Sequence, residues 1–317
     1  MSPDARRGPR GQEQVEVLAP DKGIFDFNVV SHFSRNYLAT YYCQPPAPDE
    51  CAVLSFLTRE YSRITSQPCA IEIGSGPTVH HVLPIAPYVS EIHMADYLLD
   101  NLEEVRRWRD DAPGAHRWHH YTSLALRLQG RPDEPADVAV READTRRKIT
   151  RLLHCDLKSD VPLGTRRQYP AVGCFYVVEN IGIAKDEWAR VMKRVAELTA
   201  PGGLLFLSAL RETHFYVVKS PDGRLHRYPS AFLTEQDFTD LLPMLGFNPR
   251  QTVVESARLT GQEAEGVSGV ILVAALKRSS SPMSHENVTP ASRAASDWRR
   301  AERVSSKAPE ERDISSC

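Results

Sequence analysis

The chain has 317 residues, a formal net charge of −2 and 41% apolar residues, enough for one large α/β domain and at most two. The near-neutral balance speaks against a nucleic-acid binder, which concentrates basic residues on one face, and no apolar run approaches the length that spans a bilayer. The six cysteines (Cys43, Cys51, Cys69, Cys155, Cys174 and Cys317) include no C-x-x-C pair and read as reduced, buried thiols of a cytoplasmic protein. Met1–Gln14 is polar and lacks an apolar signal core.

Residues 1–22 are rich in Pro, Arg, Gly and Glu and are expected to be disordered. The folded domain is expected over 23–277. Ala70–Ile73 is the first strand. Val79–Ala86 begins a helix that Pro84 and Pro87 keep short. Ile92–Ala95 is the second strand, followed by a helix at Leu99–Arg109 that Asp110-Asp111-Ala112-Pro113 ends. Residues 118–151 break the alternation with an apolar run at Leu124–Leu128, a polar turn at Gln129–Pro135 and a basic helix at Ala143–Leu153. They read as an insertion packing beside the sheet. Leu152–Cys155 and Ala171–Val178 are the third and fourth strands. Trp188–Leu198 is amphipathic, with Val191, Val195 and Leu198 on one face. Pro201-Gly202-Gly203 turns the chain into the fifth strand, Leu204–Leu210. Thr234 caps a helix over about Glu235–Leu245 that Gly246 stops. Phe247–Val254 and Val267–Lys277 pair as a terminal hairpin. From Arg278 onward the chain is too polar to offset its ordering entropy, so 278–317 reads as a flexible tail, with Trp298 as an incidental aromatic or a docking anchor. The pattern predicts a Rossmann-like α/β fold: a seven-stranded, mostly parallel sheet with an antiparallel terminal strand and helices on both faces.

Ligands bind such sheets at the carboxyl ends of the strands, where Gly74, Asp96, Asp156 and Glu179 are all expected. Ile73-Gly74-Ser75-Gly76 runs from strand into a Gly-x-Gly turn that lets backbone pass close to a ligand. Asp96 follows Gly74 by 22 residues, where a carboxylate accepts hydrogen bonds from ribose hydroxyls. Val79 replaces the third glycine of the dinucleotide fingerprint, so the turn favours a ribose-containing ligand without a diphosphate and points to S-adenosylmethionine.

From about Phe27 to Lys277 the chain resembles the nicotinamide, phenylethanolamine and indolethylamine N-methyltransferase family of class I methyltransferases. The resemblance rests on Phe33-Ser34-Arg35-Asn36-Tyr37-Leu38-Ala39-Thr40-Tyr41-Tyr42, on Ile73-Gly74-Ser75-Gly76-Pro77-Thr78-Val79 and on Asp96-Tyr97 with Asn101 and Trp108. It continues through Arg147-Lys148-Ile149, Leu152-Leu153-His154-Cys155-Asp156-Leu157, Pro162-Leu163-Gly164, Pro201-Gly202-Gly203 and the closing Gly269–Ala274. It implies that Tyr37, Tyr42, Gly74, Ser75, Thr78, Asp96, Asn101, Asp156 and Leu157 hold the cofactor; Gly76 and Tyr97 within the same motifs, and Glu179 from its place at a strand end, complete the expected cofactor set. It also implies that Glu212 and Glu265 grip the substrate nitrogen. His80 and Phe215 stand where the family usually has Tyr, and the fourth-strand end is shifted by about one residue, so substrate identity stays open.

Methyl transfer from a sulfonium needs an aligned acceptor rather than a strong protein nucleophile. The expected enzyme methylates a small molecule at an amine nitrogen, with Glu212 or Glu265 as proton acceptor. O- or C-methylation of a specialised metabolite and a non-catalytic S-adenosylmethionine-binding protein are the alternatives. Both carboxylates also read as solvated loop residues, Asp156 as a turn cap, and the tyrosines as packing aromatics. His80-His81 and His119-His120 suggest a metal, but adjacent side chains diverge on regular elements and no carboxylate or Cys follows at zinc-site spacing, so none is expected. No nucleic-acid or membrane partner is expected, and a monomer is favoured.

Overall fold

The protein is described by a computed structural model covering residues 16–17, 33–219, 225–259, 267–279 and 312–313. Glu265, Trp298 and most of the expected terminal segments lie outside the described residues. In chain order the elements are β1 (Glu16–Val17), α1 (Phe33–Tyr41), α2 (Pro48–Tyr61), β2 (Gln67–Ile73), β3 (Val89–Asp96), α3 (Leu99–Arg109), α4 (His119–Leu128), α5 (Pro135–Lys148), β4 (Ile149–His154), β5 (Tyr169–Phe175), α6 (Val178–Ile181), α7 (Lys185–Leu198), β6 (Thr199–Leu210), β7 (Phe215–Lys219), β8 (Leu225–Pro229), α8 (Glu235–Met244), β9 (Phe247–Arg258), β10 (Gly269–Lys277) and β11 (Arg312–Asp313).

Seven strands make the main sheet in the order β9-β10-β6-β5-β2-β3-β4, with the two-residue β11 beside β9. The five strands from β6 to β4 are parallel, and β10 runs antiparallel to both β6 and β9. Both faces are buried, which explains the near-continuous apolar strands. Side chains alternate between them: Val270, Leu272 and Ala274 join a core with α1, α2 and α4, while Ile271, Val273 and Ala275 join one with α7 and α8. Two helices carry clear start signals. Pro48 opens α2 with Asp49 and Glu50 in its first turn, and the Asp237 carboxylate accepts from Thr234 N–H (2.7 Å) and Oγ1–H (2.9 Å) at the start of α8.

The structure moves several expected boundaries. Instead of a helix over Val79–Ala86 there are two single 3₁₀ turns, His80–Val82 and Ala86–Tyr88, because Pro84 and Pro87 cannot donate to an α-helical ladder. Pro201-Gly202-Gly203 lies within β6, opposite an irregular register at Tyr169/Ala171. The fourth strand stops at Phe175, because Tyr176 takes the left-handed conformation (φ 56°) and Val178–Ile181 forms a helical turn. The 118–151 segment folds as α4 and α5; Trp118, Tyr121 and Leu124 are buried in the core, and the helix expected at Ala143 starts at Pro135. Cys43, Cys69, Cys155 and Cys174 are free thiols, and Cys43 is exposed rather than buried as expected.

The chain leaves β2 toward β3 and β4 on one side and returns to β5 on the other. The switch point therefore lies between β2 and β5, and the loops after both strands meet there.

Candidate functional site

A cleft of about 430 Å³ opens at that point. Gly74 (φ 66°) and Gly76 (φ 59°) both use backbone that L side chains rarely adopt. A Cβ on Gly74 would stand 2.4 Å from Val177 Cγ2, so the loop after β5 leaves room only for glycine. A Cβ on Gly76 would meet nothing, because it faces open space. This bare backbone cradle fits a nucleoside cofactor. Ser75 N–H donates to Ala95 O (3.1 Å) and Thr78 Oγ1 to Ser75 O (2.8 Å), which fixes the loop against β3.

Asp96 ends β3 and ties three segments together. Its Oδ2 accepts Gly76 N–H (2.8 Å), and its Oδ1 accepts Leu98 N–H (2.8 Å) and Asn101 Nδ2 (2.9 Å). A carboxylate offers about four acceptor positions, so protein donors leave roughly one for a ligand rather than one for each of two ribose hydroxyls. Burial raises the Asp96 carboxyl, against the pull of these donors. Ser34 Oγ donates to Asn101 Oδ1 (2.7 Å), linking α1 to the same network. Asp156 does two things: its Oδ1 caps the Lys158 N–H (2.8 Å), and it lines the cleft.

Of the residues expected from the sequence, Tyr37, Tyr42, Gly74, Ser75, Gly76, Thr78, Asp96, Tyr97, Asn101, Asp156 and Leu157 all line this one cleft. Glu179 does not. The early end of β5 carries it one helical turn further, where it is fully buried and its Oε1 accepts Leu210 N–H at 3.0 Å. Burial pushes its carboxyl up to about 7. Glu212 does not line the cleft either. It sits at φ 49° and is partly exposed, with its Oε2 2.5 Å from Arg211 Nη1.

The cleft lining also carries residues that the sequence did not single out, Asp49 and Glu50 from the first turn of α2 and Tyr176 and Tyr216, together with His81, which the sequence offered only as half of a metal pair. His80 and His81 do not diverge. His80 Nε2 is 2.9 Å and His81 Nε2 3.5 Å from the same Glu50 Oε2, while Tyr42 Oη donates to Glu50 Oε1 (3.3 Å) and His81 Nδ1 meets Glu72 Oε1 (3.0 Å). Burial opposes charge on Glu50, but His80 and His81 outweigh it and hold its carboxyl well below the usual range. Burial likewise opposes charge on His81, yet Glu50 and Glu72 raise it to about 9. His80, stacked on Trp118, is lowered by burial to about 4. Asp49 is raised to about 7 by burial and by its neighbour Glu50. The available signal was a Pro-Asp-Glu helix start before an apolar run. Among the described residues, Glu50-His80-His81 and Cys69-Glu91-His93 are the groups close enough to hold a metal ion.

The model of the NNMT/PNMT/TEMT family matches residues 25–278. Mouse (Mus musculus) indolethylamine N-methyltransferase is 32% identical over 193 residues, 58% of this chain and 72% of that protein. Human (Homo sapiens) phenylethanolamine N-methyltransferase is 28% identical over 281 residues, 82% and 95% of the two chains. A solved structure described as a DhpI-SAM-HEP complex superposes with a TM-score of 0.51 at 14% identity, covering 81% of this chain and 99% of that one, a likeness of fold. The chain belongs to the NNMT/PNMT/TEMT family and is an S-adenosylmethionine-dependent methyltransferase.

Proposed function

We infer that the chain methylates a small amine at nitrogen. The observation that carries this reading is the pairing, in one cleft, of the glycine-loop cradle with the Asp49 carboxylate, backed by Glu50 and set among Tyr37, Tyr42, Tyr176 and Tyr216. Carboxylates bind an ammonium by charge-assisted hydrogen bonds, and aromatic faces add cation–π attraction. Phenylethanolamine and indolethylamine, the amines in the relatives' names, have that chemistry. S-adenosylmethionine supplies a methyl group already activated on a sulfonium. Gly74, Ser75, Gly76, Thr78, Asp96, Tyr97, Asn101, Asp156 and Leu157 would hold it, and Tyr37 and Tyr42 would close over it. The remaining task of the protein is to align the acceptor nitrogen and exclude water.

A histidine base for a phenol or carbon acid is disfavoured, because His81 is already protonated near neutral pH. The gripping role that the resemblance assigns to Glu212 and Glu265 is part of the proposal only as a second contact, since Glu212 is held by Arg211 outside the cleft lining. The acceptor is a small molecule rather than a nucleic acid. Among the described residues no helix is long and apolar enough to cross a membrane. A screen of small amines, phenols and keto acids with methyl-labelled cofactor tests the reading. Label on an amine nitrogen supports it, and label only on oxygen or carbon overturns it.

A further inference from the structure

We propose that Asp49 receives the ammonium group of the acceptor and takes its proton, and that Glu50, clamped by His80 and His81, positions Asp49 for this role. The inference rests on the amine reading above and deepens it by naming the proton acceptor.

Four observations converge. First, Asp49 lines the cleft, and its side-chain hydrogen bond among the described residues is a long one, from Tyr176 Oη at 3.4 Å. Backbone N–H groups at the start of α2 also reach this carboxylate, and the long Tyr176 contact leaves acceptor capacity on the cleft side for a donor from a ligand. Second, Tyr176 reaches Asp49 from backbone at φ 56°, a strained conformation for a bulky residue, and such strain concentrates at functional sites. Third, the other carboxylates and the histidine of the lining are committed elsewhere. Glu50 is bonded to His80 and Tyr42, Asp96 is bonded to Gly76, Leu98 and Asn101, Asp156 caps Lys158, and His81 lies between Glu50 and Glu72. Fourth, a general base works best with a pKa near the operating pH, and Asp49 at about 7 meets that condition. A carboxylate in the first turn of a helix ordinarily lies low. Asp49 departs from this because it is buried beside the fixed charge of Glu50. The groups facing Asp49 are Glu50 on its own helix, Tyr176 after β5, Tyr37 on α1 and Tyr121 on α4, with His80 and His81 acting through Glu50. The three tyrosines are all raised by burial, so they stay neutral while Asp49 titrates.

The proton balance is simple. The acceptor enters as R–NH3⁺ and gives one proton to a carboxylate oxygen of Asp49. The freed lone pair then forms the N–C bond as the S–C bond breaks with its electron pair going to sulfur. The product leaves as R–NH2⁺–CH3, and the proton on Asp49 passes to solvent.

The test is calorimetric binding of three probe amines, 2-phenylethylamine, tryptamine and cyclohexylamine, to the full chain loaded with S-adenosylhomocysteine, at pH 6 and pH 8.5. With Asp49 titrating near 7, its ionised fraction rises about tenfold over that range, so the affinity of at least one probe rises about tenfold. Asp49→Asn keeps its melting temperature and cofactor affinity and loses the pH dependence, and Asp49→Glu restores part of it. Glu50→Gln moves the midpoint to lower pH, which a purely structural role would not do. Binding that is flat with pH in the wild type, a dependence that survives Asp49→Asn, or no binding of any probe overturns the proposal. Labelled methyl transfer to oxygen or carbon overturns the amine reading separately.

Discussion

Gly74→Ala and Gly76→Ala make a matched pair of perturbations in the cofactor loop. Both glycines hold positive φ, at 66° and 59°, so each alanine carries a left-handed backbone cost of about 1–2 kcal/mol. Loss of unfolded-state entropy returns about 0.4–1 kcal/mol of this in both variants. Only Gly74 has a neighbour in the way, with the new Cβ 2.4 Å from Val177 Cγ2 and 2.9 Å from Cγ1. Forcing that contact apart costs about 1–3 kcal/mol more. Thermal melts should therefore place Gly74→Ala lower than Gly76→Ala by roughly 2–10 °C. Val177→Ala in the Gly74→Ala background should recover the clash and leave the φ cost, a coupling of about 1–3 kcal/mol in the double-mutant cycle. Equal melting temperatures for the two glycine variants, or a coupling near zero, would refute the close approach of the two loops at the switch point.

Asp96→Asn can keep its oxygen toward Leu98 and Asn101 but turns an amide N–H2 toward Gly76 N–H. The orphaned donor and the lost charge should cost about 1.5–3 kcal/mol of cofactor affinity, about ten- to a hundredfold by calorimetry, and an affinity within threefold of wild type would remove Asp96 from the site. Glu212→Gln should leave kcat/KM within about threefold, because its carboxylate is held by Arg211, whereas Asp49→Asn should lower it at least tenfold; the reverse order would restore the gripping role to Glu212. His81 has a folded pKa of about 9, above its unfolded value, so its ion pairing stabilises the protein fully below about pH 6.5 and is lost as pH rises through 9. The melting temperature should fall over that window, and His81→Gln should flatten the fall. Both oxygens of Glu50 are engaged by His80 and Tyr42, so dialysis against a chelator should leave the methyl-transfer rate unchanged; a loss restored by zinc or iron would make the Glu50-His80-His81 group a metal centre.

The glycine-loop side of the cleft was legible in the sequence because its residues follow strands whose apolar runs are unambiguous. Gly74, Asp96 and Asp156 come within a residue or two of a strand end, and α3 has the predicted bounds Leu99–Arg109. The side that carries Asp49 and Glu50 depends on local backbone that periodicity does not report. His80 and His81 converge on Glu50 because the chain there makes a 3₁₀ turn, not an α-helix. Glu179 leaves the cleft because Tyr176 turns left-handed and ends β5 early. Glu212 leaves it because its own positive φ and the neighbouring Arg211 carry the carboxylate outward. Asp49 and Glu50 read as ordinary helix-start acids, and only the packing of α2 against the glycine loop and Tyr176 gives them a cleft to face. The β7–β8 hairpin, which brings Tyr216 to the cleft, was not among the expected elements, although Pro221-Asp222-Gly223 between its strands is a turn signal.

The most direct test is to incubate the purified chain with S-adenosylmethionine carrying a ¹³C methyl group and a panel of arylalkyl amines, phenols and keto acids, then to locate the label by NMR. An N–¹³CH3 resonance on an amine, reduced at least tenfold in Asp49→Asn while cofactor affinity is retained, is the expected result. Label on oxygen or carbon, or no transfer to any acceptor by a protein that binds the cofactor, would contradict the assignment of a small-amine N-methyltransferase.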